Sequence, residues 1–199
     1  MAYELQTQEQ QEQAVQSMRT FLQALGLDLQ ALGMEKTPQR VTAAFTQFFS
    51  GLREDPDKEW GHPIQTGTDG LVAVRNIRFH SLCEHHLLPF FGTVHIAYYP
   101  QHGKVAGFGH FIRAVTILAE RPQLQERLTE EICRSVYRGL QPAGVLVIVK
   151  AKQLCMTMLQ AAAGDTDIVT AATAGNIVNG NAAYEQAWKL LMGDTTNAL

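Results

Sequence analysis

The feature that most limits the fold of this chain is a set of metal-binding residue types in two distant segments. Cys83, His85 and His86 lie within four positions, and Cys155 follows about seventy positions later. Two thiolates and one imidazole form a three-ligand zinc set, and an open fourth position distinguishes a catalytic zinc from a structural one. The alternative is a buried thiol beside ordinary histidines. The Cys-x-His-His spacing favours zinc (Zn2+), so we expect the fold to bring Cys155 beside residues 83–86.

Composition excludes several classes of protein. The 199 residues are 46% hydrophobic and 18% charged, which is typical of one folded domain with an appendage. A net charge of −3 predicts no nucleic-acid partner, and no apolar run reaches the roughly 18 residues of a membrane span. Three cysteines do not make a disulfide framework, and the Gln-rich N-terminus has no secretion leader. We therefore expect a cytoplasmic protein with no membrane partner.

Hydrophobic periodicity predicts three regions: an N-terminal helical region (1–53), a linker rich in Gly and Pro (54–70) and a main domain (71–199). In the first region, Thr37 is expected to cap a helix that has Pro38 at its first position. In the main domain, β-type patterns cover 71–79, 93–99, 145–149 and 168–177. Helical patterns follow Gly107, begin again at Pro122 and cover 182–192. This order predicts an α+β fold with antiparallel hairpins and helices grouped on one face.

The run Ser81-Leu82-Cys83-Glu84-His85-His86-Leu87-Leu88-Pro89-Phe90 resembles the signature of the GTP cyclohydrolase I family. Further matches follow the order of the chain, at residues 37–40, 105–108, 121–129 and 154–156. The resemblance implies the tunnelling fold, in which a four-stranded antiparallel sheet is backed by two helices. It also implies a homo-oligomer, a toroidal decamer with active sites between subunits.

The resemblance also implies residue roles. The zinc ligands are Cys83, His86 and Cys155. His85 matches the proton donor, which would protonate purine N7 while water adds to C8. Glu126 matches the carboxylate that holds the ring N–H and amino group of guanine. Arg40 and Arg113 match residues that hold the triphosphate.

Several positions depart from the family pattern, and they are concentrated in the site. Gln153 stands where the family has a second catalytic His, and an amide cannot carry a proton near pH 7 as an imidazole can. Gly109 and His110 replace a Ser-Lys pair, and Leu159-Gln160 replaces an Arg-Gly pair. Two fixed cations that would hold the triphosphate are therefore missing. Charge-assisted contacts contribute roughly 1.5–3 kcal/mol each, so their loss weakens binding of a polyanion.

These departures leave three hypotheses open. The first is a zinc hydrolase that opens, at C8, the imidazole ring of a guanine nucleotide, nucleoside or related purine, with reduced dependence on the triphosphate. It would stop at a ring-opened formamide or its deformylated product. The second is ordinary GTP cyclohydrolase I activity, which converts GTP to 7,8-dihydroneopterin triphosphate and formate. The third is a non-catalytic, zinc-stabilised binding subunit.

Overall fold

The structure of the protein is a computed structural model that describes residues 7–67, 69–159, 164 and 166–193. The α-helices of this part of the chain are α1 (Gln8–Ala24), α2 (Thr37–Phe48), α3 (Phe108–Ala119), α4 (Gln125–Leu140), α5 (Leu154–Thr157) and α6 (Ala182–Met192). The strands are β1 (Ile64–Gln65), β2 (Val72–Cys83), β3 (Pro89–Tyr99), β4 (Lys104–Val105), β5 (Pro122–Gln123), β6 (Gly144–Gln153) and β7 (Ile168–Gly175). Two short 3-10 helices cover Ser50–Arg53 and Pro56–Trp60.

The main sheet has the strand order β5-β2-β3-β6-β7. Its four long strands pair antiparallel, and β5 adds a two-residue parallel pairing to the edge of β2. Helix α3 packs against β2, and α4 packs against β6 and β7. This arrangement confirms the predicted α+β class and the tunnelling fold, with four long strands backed by two helices. The parallel edge strand β5 is an addition to the prediction.

Alternate residues of the long strands face the two long helices and form the core. The largest fully buried side chains of this layer include Phe90, Ile96, Tyr98, Phe111 and Leu128. The opposite face of the sheet buries a second, smaller apolar cluster against α6, which contains Leu146, Ile148, Ala187 and Leu191. Because apolar burial stabilises by about 25 cal/mol per Å², these two layers fix the sheet as a rigid support for the loops at its ends.

The N-terminal segment 8–48 forms a helical pair in which α1 packs against α2. Thr7 and Gln10 form a capping box at the start of α1. The cap of α2 differs from the prediction, because Lys36 takes the N-cap position and Thr37 is already helical.

The 3-10 helix Pro56–Trp60, which follows these two helices in the chain, is anchored by Trp60. This side chain is 2% exposed and donates a hydrogen bond from Nε1 to Ser135 Oγ. The Trp60 ring also packs edge-on against Phe111, so the 3-10 helix Pro56–Trp60 contacts the core.

The prediction that a helix begins at Pro122 is wrong. Pro122 and Gln123 are extended and pair with Leu82 and Cys83 of β2, and α4 begins at Gln125. Sheet pairing therefore outweighs the tolerance of proline for a first helical turn at this position. The difference matters for the site because β5 lies directly beside the end of β2.

No helix within the described ranges combines the length and the apolar composition that a membrane span requires.

The close packing of β3 on β6 depends on one glycine. A methyl group at Gly92 would lie 1.9 Å from the carbonyl oxygen of Lys150, so any side chain there would separate the two strands. That close pairing sets the register next to the candidate site.

Candidate metal and purine site

The antiparallel register of β3 and β6 brings the two distant metal-binding segments together. Phe90, near the start of β3, lies opposite Gln153, the last residue of β6. The turn between β2 and β3 therefore lies beside the residues that follow β6, and Cys155 is in the first turn of α5. Cys83 and Cys155 are far apart in the sequence, but the pairing of β3 with β6 brings their segments close together in the fold.

The turn from Cys83 to Leu88 is held by its own backbone. The Cys83 amide donates to the Leu88 carbonyl at 2.9 Å, and the Leu87 amide donates to the Cys83 carbonyl at 2.7 Å. Leu87 adopts φ of 52°, a left-handed conformation that costs a non-glycine residue about 1–2 kcal/mol. The tight turn leaves the rings of His85 and His86 exposed and edge-to-face, with centroids 6.2 Å apart.

The three predicted zinc ligands converge. Ligand atoms of Cys83, His86 and Cys155 lie within 4.8 Å of one another. A tetrahedral zinc with Zn–S bonds of about 2.3 Å separates two sulfurs by roughly 3.8 Å, so one ion fits this set with small side-chain adjustments. Cys83 is buried, Cys155 is half-buried and His86 is exposed, so one side of the cluster is accessible to solvent.

The electrostatic environment of the two thiols is also consistent with a cation. Burial, followed by the charge and hydrogen bond of Cys83, raises the pKa of the Cys155 thiol. These effects disfavour the thiolate of Cys155 in the absence of a compensating charge. A bound metal ion reverses that preference, because a coordinating thiol is deprotonated outright. The donor set therefore fits zinc chemically as well as geometrically.

A cleft of about 250 Å³ opens beside this cluster. Its lining residues include Cys83, His85, Glu126, Gln153 and Cys155. Glu126 is exposed in the first turn of α4, and no group among the described residues bonds its carboxylate. The structure thus brings together the predicted ligands, His85, Gln153 and Glu126.

The other predicted substrate contacts lie elsewhere. Within the described residues, none of Arg40, Gly109, His110 and Arg113 lines this cleft. Arg40 is exposed on α2, and Gly109 in the first turn of α3 faces open space. The His110 ring lies beside Gly107, 3.4 Å from where a methyl group at that glycine would be.

Arg113 is already paired within the chain. Its guanidinium forms an ion pair with Glu54, and its Nε lies 3.8 Å from Glu59 Oε1. Leu159 follows α5 and is 60% exposed, whereas Gln160 lies outside the described residues. An exposed apolar side chain therefore occupies the position for which the family pattern has an arginine.

Sequence reasoning missed a group of side chains that brace the metal turn. Gln123 is 1% exposed, and its Oε1 accepts from Arg127 Nε at 2.9 Å. Arg127 in turn forms an ion pair with Glu84, the residue after Cys83. The Glu84 amide donates to the Gln123 carbonyl at 3.1 Å, so β5 and α4 hold the turn from outside. The runs 81–90 and 121–129 contained these residues, but nothing in the sequence indicated their partners.

Sequence comparisons agree with the geometry. The sequence profile of the family described as GTP cyclohydrolase I matches residues 14–192. GTP cyclohydrolase 1 of Bacillus subtilis (strain 168) is 44% identical over 164 residues, covering 82% of this chain and 86% of the relative. GTP cyclohydrolase 1 of Bacillus pumilus (strain SAFR-032) is 40% identical over 178 residues, covering 89% and 94%. The chain therefore belongs to the GTP cyclohydrolase I family, and the prediction of a hydrolase of that type is confirmed.

Proposed function

We propose that the protein acts on GTP as a GTP cyclohydrolase I, forming 7,8-dihydroneopterin triphosphate and formate. The observation that carries this proposal is the convergence of Cys83, His86 and Cys155 beside His85 and Glu126 in one cleft. Relatives that are 40–44% identical and carry the name GTP cyclohydrolase 1 support the choice of substrate.

In the proposed reaction, Cys83, His86 and Cys155 hold zinc, which when bound supplies a Lewis acid that lowers the pKa of water to about 7. The Glu126 carboxylate accepts hydrogen bonds from the ring N–H and the amino group of guanine, and so orients C8 toward the metal-binding residues. His85 donates a proton to N7 as water adds to C8 and the C8–N9 bond breaks. A second hydrolysis releases formate, and ring closure through the ribose returns one water.

We also propose that the active site is completed between subunits of a homo-oligomer, a decamer by resemblance. Arg40, His110 and Arg113 lie outside the cleft formed by their own chain. A neighbouring subunit would bring them to the phosphate end of a nucleotide held by Glu126. Mixing two impaired variants, Glu126→Gln and Arg113→Ala, tests this arrangement: activity of the mixture above that of either variant alone supports shared sites, and no gain in a mixed oligomer counts against them.

A second candidate is the hydrolase that stops at a ring-opened product and depends less on the triphosphate. Two observations favour it. Gln153 has no titratable group at the position of the family's second catalytic His. Leu159 is exposed and apolar where a cation would pair with phosphate, and an apolar surface desolvates an anion without compensating it.

One experiment separates these candidates. Zinc-loaded protein is incubated with GTP, GMP and guanosine, and formate, pterin fluorescence after oxidation and product mass are measured. A pterin from GTP supports the first candidate. Ring-opened product without pterin supports the second. Tight binding with no change in any purine supports a non-catalytic subunit and rejects both. His85→Ala serves as the inactive control, and His62→Ala, an exposed histidine outside the cleft, as its matched control.

A further inference from the structure

Two side-chain amides meet at the inner wall of the cleft. Gln153 Nε2 lies 2.8 Å from Gln125 Oε1. Gln125 is the first residue of α4 and is 3% exposed, whereas Gln153 is half-buried and lines the cleft. Neither amide is a metal ligand or a proton carrier. The hydrogen bond between them joins the first residue of α4 to the last residue of β6.

The orientation of Gln125 is fixed by its surroundings. Its Nε2 lies 3.1 Å from the Val149 carbonyl and 2.9 Å from the Ile168 carbonyl. Backbone carbonyls only accept hydrogen bonds, so the amide nitrogen of Gln125 must face them. A flipped amide would place its oxygen against two other oxygens in a buried site, with a cost of about 1–3 kcal/mol for each unsatisfied group.

The orientation of Gln153 follows from that of Gln125. Because Gln125 presents its oxygen, Gln153 must donate with Nε2, and its own Oε1 is directed away from Gln125. No donor to this Oε1 is found among the residues that the structure describes. Among those residues, the amide oxygen is therefore an oriented acceptor without a donor, on a side chain that lines the same cleft as His85, Glu126 and Cys155.

An acceptor at this point distinguishes the substrate from the ring-opened species. In the five-membered ring of a guanine nucleotide, N7 is an acceptor and N9 carries the sugar, so the intact ring offers no N–H. Cleavage of the C8–N9 bond creates an N–H at N9 and leaves an N–H at N7 in the formamide. Because this N–H develops while the C8–N9 bond breaks, a hydrogen bond to it is made in the transition state and not with the bound substrate, and such an interaction raises kcat rather than lowers KM.

We propose that Gln153 Oε1 accepts a hydrogen bond from an N–H that appears as the imidazole ring opens, and that Gln125 is the positioning residue that aims it. This inference rests on the proposed hydrolysis at C8 and names the species that the site binds best. The pair thus favours the ring-opened formamide over the intact purine. At position 153, a hydrogen bond from an uncharged amide of fixed orientation would thus take the place of proton transfer by a histidine.

The test compares steady-state GTP consumption by zinc-loaded wild type, Gln153→Met, Gln125→Met and the double variant. We expect Gln153→Met to lower kcat about tenfold with KM within about twofold, as for loss of one hydrogen bond made late. The double variant should be no slower than Gln153→Met alone, because the two residues act as one unit. Gln101→Met, an exposed glutamine outside the cleft, is the matched control.

A binding measurement keeps the inference testable without turnover. A ring-opened formamidopyrimidine analogue of guanosine and guanosine itself are titrated into wild type and Gln153→Met. We expect the variant to bind the analogue about tenfold more weakly and guanosine within about twofold. Equal losses for both ligands, a higher KM with unchanged kcat, or additive effects of the two substitutions overturn the inference. Absence of turnover by the wild type overturns the proposed function alone, since the binding arm still decides this inference. If Gln125→Met does not fold, the two Gln153 measurements suffice.

Discussion

Two regions were expected to contact the nucleotide, and they differ in how the chain builds them. The metal cleft joins the end of β2, the end of β6 and the start of α4. Strand β3 pairs with both β2 and β6, and β5, which leads into α4, pairs with β2. The second region, which we call the outlying set, consists of Arg40, Gly109, His110 and Arg113. Its members lie on α2 and α3, outside that cleft.

The difference separates two kinds of chemistry. Metal binding and base recognition require sub-ångström placement, and a ladder between β3 and β6 supplies it within one chain. Holding a polyanion requires charge more than geometry, and the side chains expected to supply that charge lie at exposed positions on helices. In this chain the cleft contains His85 and Glu126 beside the expected metal ligands. The outlying set, in contrast, has Gly109 and His110 in place of Ser and Lys and a paired Arg113.

The largest expected effect is loss of a metal ligand. Cys83→Ala and Cys155→Ala should each reduce bound zinc to near zero and lower turnover at least a thousandfold, because one thiolate and one imidazole do not hold the ion. Elemental analysis and formate release measure this. Cys133→Ala is the matched control, since burial raises the pKa of Cys133 to about 11 and it remains a thiol in the core. Zinc retained in Cys83→Ala would remove the basis of the comparison.

The next effect is on proton transfer. His85→Ala should keep its zinc and lower kcat about 10²–10⁴-fold, the usual contribution of a general acid. Neighbouring His86→Ala should instead lose zinc, because the ring of His86, unlike that of His85, belongs to the group whose ligand atoms lie within 4.8 Å of one another. Parallel metal analysis and kinetics on the two variants assign the roles. Loss of zinc from both would show that His85 is also a ligand.

The metal set was predictable from its residue types, whereas His85, Glu126 and Gln153 were assigned to the site through the family resemblance. Cysteine and histidine at this spacing indicate a metal, and the alternation in β3 and the β-branched apolar run in β6 indicate strands. The hydrogen-bond partners of Gln123 and Gln125, which support the cleft, were not predictable. Gln125 acquires its partners only through the β6–β7 register, and Gln123 only because β5 pairs with β2 instead of starting a helix. Arg113 and Glu54 are 59 residues apart, so their pairing depends on how α3 packs.

Base recognition gives a smaller effect. Glu126→Gln should raise KM for a guanine substrate about 10–100-fold, since charge-assisted hydrogen bonds contribute roughly 1.5–3 kcal/mol. Discrimination between guanosine and inosine should fall as well, because the amino group loses its acceptor. Glu130→Gln, one turn later on α4 and paired with exposed Arg134, is the matched control. Unchanged preference for guanine would place base recognition outside the cleft.

Restoring charge tests the outlying set directly. His110→Lys and Leu159→Arg together should improve kcat/KM for GTP relative to guanosine by about tenfold, as expected for one regained charge-assisted contact. Guanosine itself should be unaffected because it has no phosphate. The GTP-to-guanosine ratio is the measurement, made with wild type in the same buffer. No gain would show that neither position approaches the phosphates, even in the oligomer.

The smallest effect concerns the carboxylates that already pair with Arg113. Glu54→Gln and Glu59→Gln each free its guanidinium to pair with phosphate, and the side chains involved are 45%, 34% and 28% exposed for Arg113, Glu54 and Glu59. Partly exposed pairs contribute about 0–1 kcal/mol, so KM for GTP should fall by no more than about fivefold. The gain should shrink at high salt and be absent for guanosine. Asp167→Asn, which removes the partner of Lys150, is the matched control. Because both glutamates act through one arginine, Arg113→Ala should abolish the gain. A gain that survives Arg113→Ala would mean that the glutamates repel the nucleotide directly and that Arg113 has no part in holding it.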